Sequence, residues 1–182
     1  MSLLPFTLKP FRVDEDLPGI RIKGTIGRRS ARLSIDCSIL GNVSDLSIPA
    51  PVGSPERKDR LWEETCLELF LGRKDSGRYW EFNLSPAGHW SVYRFTSYRM
   101  GMREEPVFSS LPFRVETGPE ALRLSIDLDI GKLVPKGKAV EAAVCAVILD
   151  VKGKRSYWAL AHPGSRPDFH RRDGFALALP GA

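Results

Sequence analysis

Two stretches in which apolar and polar residues alternate strictly constrain the fold more than any other feature of the sequence. In residues 31–39 (ARLSIDCSI) and 121–130 (ALRLSIDLDI), almost every second side chain is apolar. Successive side chains of a β-strand point to opposite faces, so this period predicts strands with one buried and one solvated face. The buried faces need a partner layer, and the sequence has no amphipathic stretch of three helical turns to provide one. The predicted fold class is therefore all-β, an antiparallel β-sandwich.

The other apolar runs are spaced like further strands of such a sandwich. Residues 140–149 (VEAAVCAVIL) are apolar on both faces apart from Glu141, which predicts a central strand. Fourteen prolines and sixteen glycines lie mainly between the runs, as expected for turns. Residues 41–60 and 98–110 have no sustained period and are predicted to be loops. The count is about nine to eleven strands, in one domain that spans residues 1–182.

Composition limits the protein classes to which the chain can belong. No apolar run approaches the roughly 20 residues of a membrane span, and the N-terminus lacks a secretory pattern, so we expect a cytoplasmic protein without a membrane partner. The formal charge of +5 could attract anions. However, the basic residues are scattered in short pairs, which favours a solubilising surface over nucleic-acid binding. Cys37, Cys66 and Cys145 lack the paired spacing of a zinc site and are expected to be buried, reduced thiols.

Residues 61–90 (LWEETCLELFLGRKDSGRYWEFNLSPAGHW) are the part of the sequence richest in binding chemistry. They hold three of the four tryptophans. The pattern predicts a strand over residues 61–71, a turn, and a second strand over residues 79–84. Strand parity places six large apolar side chains on one face of this hairpin. They are Leu67, Leu69, Leu71, Trp80, Phe82 and Leu84.

The opposite face of the hairpin gathers polar and aromatic side chains. In register, Glu68, Glu81 and Asn83 converge on one surface, with Trp62 and Tyr79 towards its ends. Such a set suits a sugar, because flat rings cover the apolar face of a pyranose while carboxylates and amides bond its hydroxyls. Two alternatives stay open. The carboxylates could simply be solvated on an exposed sheet face, or they could form the acid pair of a glycoside hydrolase.

Other kinds of site receive little support from the sequence. Its three histidines show no closely paired metal-ligand spacing, so no metal ligand is assigned. Glycine-rich phosphate loops and the G-x-S-x-G turn of hydrolases do not occur. The loop at residues 162–173 (HPGSRPDFHRRD) precedes the last predicted strand and could fold over an open sheet face. It carries Phe169 and His170.

The stretch at residues 62–71 (WEETCLELFL), followed by residues 79–83 and the turn at residues 85–88, resembles a known group. This group is the DOMON-like superfamily, and within it the family 9 carbohydrate-binding modules and their bacterial relatives. Those modules have a tryptophan, a glutamate six positions later in an apolar strand, and an asparagine on the next strand. Trp62, Glu68 and Asn83 look like these positions. An arginine that lies two positions before the asparagine in the modules is replaced here by Glu81.

The resemblance implies a jelly-roll-type β-sandwich that is not an enzyme and needs no cofactor. It implies that a small-molecule ligand, such as a sugar, is held between two aromatic rings. The second ring comes from a loop near the chain end, so Phe169, or else His170, would take that role. Other DOMON relatives bind haem through Met and His, and Met100, Met102 and the histidines keep that alternative open. A protein-interaction module without a small ligand is a third possibility, and the sequence does not indicate the oligomeric state.

Overall fold

The computed structural model describes residues 3–13 and 19–181, and within them twelve strands form an antiparallel arrangement. The first six strands are β1 (Leu3–Pro10), β2 (Ile20–Arg29), β3 (Arg32–Gly41), β4 (Cys66–Arg73), β5 (Tyr79–Leu84) and β6 (Trp90–Phe95). The other six are β7 (Arg103–Glu104), β8 (Arg114–Thr117), β9 (Ala121–Asp129), β10 (Val140–Leu149), β11 (Arg155–Ala159) and β12 (Leu177–Leu179). Short 3-10 helices occur at Val43–Asp45, Leu61–Glu63 and Arg172–Gly174. None of the helices in the described ranges has the length and apolar character needed to span a membrane.

The strands form two sheets that share β1. Sheet I has the order β8-β9-β3-β2-β1, and sheet II has the order β7-β6-β5-β4-β10-β11, with β12 also paired to β10. Residues 3–8 of β1 pair with β2, whereas Lys9 and Pro10 pair with β11. The strand therefore passes from one sheet into the other. The predicted all-β antiparallel sandwich is confirmed, and β7 adds a short strand within a segment that the sequence predicted to be a loop.

The core between the sheets is built from the alternating faces that the sequence predicted. Strand β3 buries Leu33, Ile35, Cys37 and Ile39, and it pairs along its length with β9, which buries Leu122, Leu124, Ile126 and Leu128. Gly24 of β2 permits a close approach here, because a Cβ atom at this position would lie 2.0 Å from the Asp36 carbonyl oxygen. Sheet II contributes the six apolar hairpin side chains that parity assigned to one face.

Sheet II is buried on its outer face as well. A second apolar cluster covers that face and contains Phe70, Tyr79, Tyr93, Phe95, Ala143, Cys145, Ala159 and Phe175. The half-buried rings of Trp62 and Phe169 pack against this cluster. Strand β10 lies at the centre, with β4 on one side and β11 and β12 on the other, so its prediction as a central strand is confirmed. The three cysteines are free and buried, also as predicted.

The prediction that one strand covers residues 61–71 is wrong at its beginning. Arg60 has a φ of 60°, residues 61–63 form a 3-10 helix, and β4 begins only at Cys66. The hydroxyl of Thr65 donates to the Ser47 carbonyl at 2.7 Å, which fixes the chain just before the strand. Trp62 therefore approaches the outer face of sheet II from a turn, and strand parity does not set its direction.

Candidate ligand-binding site

A cavity of about 340 Å³ lies on the outer face of sheet II, with the loop between β11 and β12 as one wall. Five of the seven predicted ligand-binding residues line it: Trp62, Glu68, Glu81, Phe169 and His170. The strands of sheet II provide its floor, and the loop between β6 and β7 provides a further side through Arg99 and Met102. Residues far apart in sequence therefore converge on one cavity.

Glu68 and Glu81 place two carboxyl groups at the floor of the cavity. Glu68 lies opposite Asn83 in the β4–β5 ladder, and Glu81 is two residues before Asn83, so the glutamates are diagonal neighbours on one face. Each is only 4% exposed, which contradicts the alternative that they are solvated on an open sheet. Burial raises the pKa of Glu81 to about 7. Burial, together with the nearby Glu81, raises the pKa of Glu68 well above its usual range.

Asn83 and Tyr79 lie behind the cavity and do not line it. The Asn83 amide donates to Glu81 Oε1 at 2.8 Å, while its own carbonyl oxygen is buried without a hydrogen-bond partner among the described residues. The Tyr79 hydroxyl contacts His170 Nδ1 at 2.8 Å and accepts the Arg99 backbone N–H at 3.1 Å. Both residues therefore orient the groups that do face the cavity.

His170 connects this second layer to the carboxyl pair. When the Tyr79 hydroxyl donates its hydrogen bond to Nδ1, this nitrogen is the acceptor. The neutral imidazole ring then carries its own hydrogen on Nε2. Nε2 lies 3.7 Å from Glu81 Oε2. Burial, and then the charge of Arg99, lowers the pKa of His170 to about 4, so the ring is neutral at neutral pH. The ring also packs edge-on against Phe70 and Phe95, which fixes its plane.

Two loops are joined at the rim of the cavity by a cluster around Asp168. Arg99 of the β6–β7 loop forms an ion pair with Asp168 at 2.7 Å, and the Tyr98 hydroxyl donates to the same carboxylate. The His170 backbone N–H also donates to Asp168, at 3.2 Å. The aspartate thus holds the loop that carries Phe169 and His170 against the loop that carries Arg99.

Two half-buried aromatic rings form walls of the cavity, and each is supported by a tyrosine. Trp62 packs edge-on against Tyr93 with ring centroids 6.0 Å apart. The Tyr93 hydroxyl in turn donates to Asp59 at 2.5 Å. Phe169 packs edge-on against Tyr157 with centroids 6.2 Å apart. The aromatic positions on the turn and on the last loop therefore meet at one site, although they lie more than a hundred residues apart in sequence.

Several lining residues were not predicted from the sequence. Arg99, Arg155 and Tyr157 line the cavity. Arg99 lies in a segment without periodicity, and Arg155 and Tyr157 alternate on β11, whose outer face looked no different from any solvated strand face. Only the pairing of β11 with β10 brings that face beside β4.

The histidines and methionines considered as metal or haem ligands differ in their access to the cavity. Within residues 3–13 and 19–181, no group of three or more His, Cys, Asp or Glu side chains is placed to hold a metal ion. Met100 is 62% exposed on the β6–β7 loop, and Met102 reaches the cavity. His170 also lines the cavity, with Nδ1 in contact with the Tyr79 hydroxyl and Nε2 3.7 Å from Glu81 Oε2.

Comparison with solved structures shows that the chain has the β-sandwich fold of carbohydrate-binding modules. A candidate carbohydrate-binding protein from Bacteroides uniformis matches with a TM-score of 0.71 and 13% identity, over 98% of this chain and 86% of that one. A family 9 carbohydrate-binding module from Caldicellulosiruptor kristjanssonii in complex with glucose matches with a TM-score of 0.57 and 10% identity, over 95% and 82%. A family 9 module from the same organism in complex with cellotriose matches with a TM-score of 0.53 and 11% identity, over 87% of this chain and 74% of that one. No family model and no curated protein matches the sequence.

Proposed function

We propose that this protein is a non-catalytic, DOMON-like module that binds a small carbohydrate in the cavity on sheet II. The observation that supports this most strongly is the convergence of Trp62 and Phe169 on a cavity whose floor carries two buried carboxyl groups. The rings offer apolar surface to the C–H face of a sugar, and the floor offers partners to its hydroxyls. The fold shared with glucose- and cellotriose-bound modules supports the same class of ligand.

The size and polarity of the cavity fit one sugar unit or the end of a short chain. Its volume of about 340 Å³ falls at the lower end of the range for small-molecule sites. The carboxyl group of Glu68 has no hydrogen-bond partner within the described part of the chain, so it is available to a hydroxyl. Arg99 and Arg155 supply donors at the sides of the cavity. Arg99 would provide the guanidinium that the resembled modules carry at the position of Glu81.

The state of the two carboxyl groups suits hydrogen bonding to sugar hydroxyls. Burial raises the pKa of Glu68 well above its usual range and that of Glu81 to about 7, so near pH 7 the pair offers both acid protons and carboxyl oxygens. A neutral carboxylic acid can donate one hydrogen bond and accept others, which suits a sugar hydroxyl.

Calorimetric titration with a panel that includes glucose and cellotriose tests this proposal. We expect at least one sugar to bind, with Trp62→Ala and Glu68→Gln each weakening the affinity about tenfold or more through lost stacking or hydrogen bonding. Glu116→Gln is the matched control for Glu68→Gln, since Glu116 is exposed on β8 of the other sheet and should have no effect. If no sugar on the panel binds the wild-type protein, the carbohydrate proposal is refuted. Hydrolysis of a chromogenic glycoside that disappears in Glu68→Gln would refute its non-catalytic part.

A further inference from the structure

A second cavity, of about 670 Å³, lies at the edge of sheet II and is lined by five basic side chains. We call it the basic groove, defined by Arg73, Arg78, Arg94, Arg103 and Lys132. These residues come from four places in the chain: the β4–β5 turn region, β6, β7, and the turn between β9 and β10. The groove therefore depends on the fold and does not correspond to any of the short basic pairs visible in the sequence.

Most of the positive charge in the basic groove is unpaired. Arg73 forms an ion pair with Asp75 at 3.2 Å. The side chains of Arg78, Arg94, Arg103 and Lys132 have no ion pair or hydrogen bond among the residues that the structure describes. The concentration of four unpaired cations around one cavity distinguishes this surface from the mixed charges expected of a solubilising face.

The acidic residue in the lining of the groove does not neutralise these cations. Glu105 is 4% exposed, and its two carboxylate oxygens accept hydrogen bonds from the Trp80 indole at 3.0 Å and the Val107 backbone at 3.2 Å. Within the described residues it forms no ion pair. Its carboxylate fixes Trp80 and the chain after β7. The arginines of the groove are therefore available to bind another partner.

Two of the arginines lie directly opposite each other in the sheet. The register of β6 and β7 pairs Arg94 with Arg103, and the register of β5 and β6 places Arg94 beside Trp80. Like charges at directly opposed positions of an antiparallel pair repel and destabilise the pairing. An anion bound between the two guanidinium groups would convert this repulsion into attraction.

We propose that the basic groove binds a small polyvalent oxyanion, a molecule that carries several phosphate or sulfate groups. The planar donor forks of arginine match the oxygens of these groups in a bidentate manner. The volume of the groove is that of a small-molecule site, so the observations favour a compact anion over a nucleic-acid backbone. Phe95 lines both this groove and the cavity on the outer face of sheet II, so the two sites share a wall. The anion site is nevertheless independent of the proposed sugar site, because none of its five basic residues lines that cavity.

Calorimetric titration at low salt tests the proposal, with inorganic tripolyphosphate and sucrose octasulfate as separate probes. We expect one probe to bind, which identifies phosphate or sulfate as the preferred group. Arg94→Gln and Arg103→Gln should each raise the Kd about tenfold, as loss of a charged hydrogen-bonding partner does. The control Arg21→Gln removes the same charge from an exposed position on β2 and should leave the Kd unchanged.

Thermal unfolding separates a binding role from a structural one. Without anion, Arg94→Gln should unfold at the same temperature as the wild-type protein or at a higher one, because the repulsion with Arg103 is gone. Its sugar titration should match that of the wild-type protein, so the two proposals can fail separately. Three results would overturn the anion site: neither probe binds, the control Arg21→Gln weakens binding as much as Arg94→Gln, or a short DNA duplex binds more tightly than both probes.

Discussion

Replacing Glu81 by glutamine should make the protein more stable at neutral and alkaline pH while leaving its stability at low pH almost unchanged. Glu81 is buried at the floor of the cavity and has a pKa of about 7 against an ordinary value of 4.5. An acid with a raised pKa stays protonated in the folded state while the unfolded chain ionises. The folded state therefore loses stability as the pH rises from 4.5 through about 7.

The size of this loss follows from the interval between the two pKa values. Each pH unit of that interval corresponds to about 1.4 kcal/mol, so the ionisation of Glu81 costs about 3 kcal/mol once the pH exceeds both values. Glutamine has the same shape, carries no charge, and still offers an oxygen to the Asn83 amide. The variant should thus gain up to about 3 kcal/mol over the wild-type protein at about pH 8 and very little at about pH 4.5.

Urea unfolding of both proteins across this pH range measures the effect. The quantity to compare is the difference in free energy of unfolding between Glu81→Gln and the wild-type protein at each pH. Both proteins contain His170, whose effect on stability has the opposite pH dependence and cancels in this difference. Its lowered pKa, about 4, makes the wild-type protein lose stability as the pH falls through the same region. Glu116→Gln, at an exposed position of β8, is the control and should unfold with nearly the same free energy as the wild-type protein. A pH-independent difference for Glu81→Gln, or a loss of stability at high pH, would refute the assignment of a raised pKa.

Three further predictions concern stability and reactivity. Arg172→Met should lower the free energy of unfolding by about 3 kcal/mol, measured by urea unfolding, because its guanidinium donates to the carbonyls of Arg73, Ser76 and Arg78 and pairs with Glu141. Gly24→Ala should cost at least about 2 kcal/mol, seen as a lower Tm, because the added methyl group would overlap the neighbouring strand. A thiol reagent should label no cysteine of the folded protein and all of them in denaturant, because burial raises the pKa of each thiol; they are Cys37, Cys66 and Cys145.

The fold could be predicted from the sequence because its strands alternate visibly. Strands β3 and β9 bury every second residue, and few structures other than a half-buried β-strand produce an apolar residue at every second position. The apolar run at residues 140–149 likewise identified a strand covered on both faces. The two-residue strand β7 could not be found, because it is too short to show a period and exists only through its pairing with β6.

The candidate site was only partly predictable. Parity put Glu68, Glu81 and Asn83 on one face, and register brings them together, but periodicity does not reveal whether a face is solvated. That depends on the 3-10 turn with Trp62 and on the loop with Phe169, whose paths are set by tertiary contacts. Arg99 was missed for the same reason, since it lies in a loop whose position depends on its pairing with Asp168.

The central claim, that a sugar binds beside Trp62, is tested most directly by nuclear magnetic resonance of the tryptophan indole N–H groups. The chain has four tryptophans. Trp80, Trp90 and Trp158 belong to the core between the sheets, whereas Trp62 is half-buried and lines the cavity. Titration with the sugar that binds best should change the chemical shift of the Trp62 indole N–H until binding saturates. The chemical shifts of the other three indole N–H groups should stay almost unchanged. A Trp62 signal that stays fixed with every sugar of the panel would contradict the account.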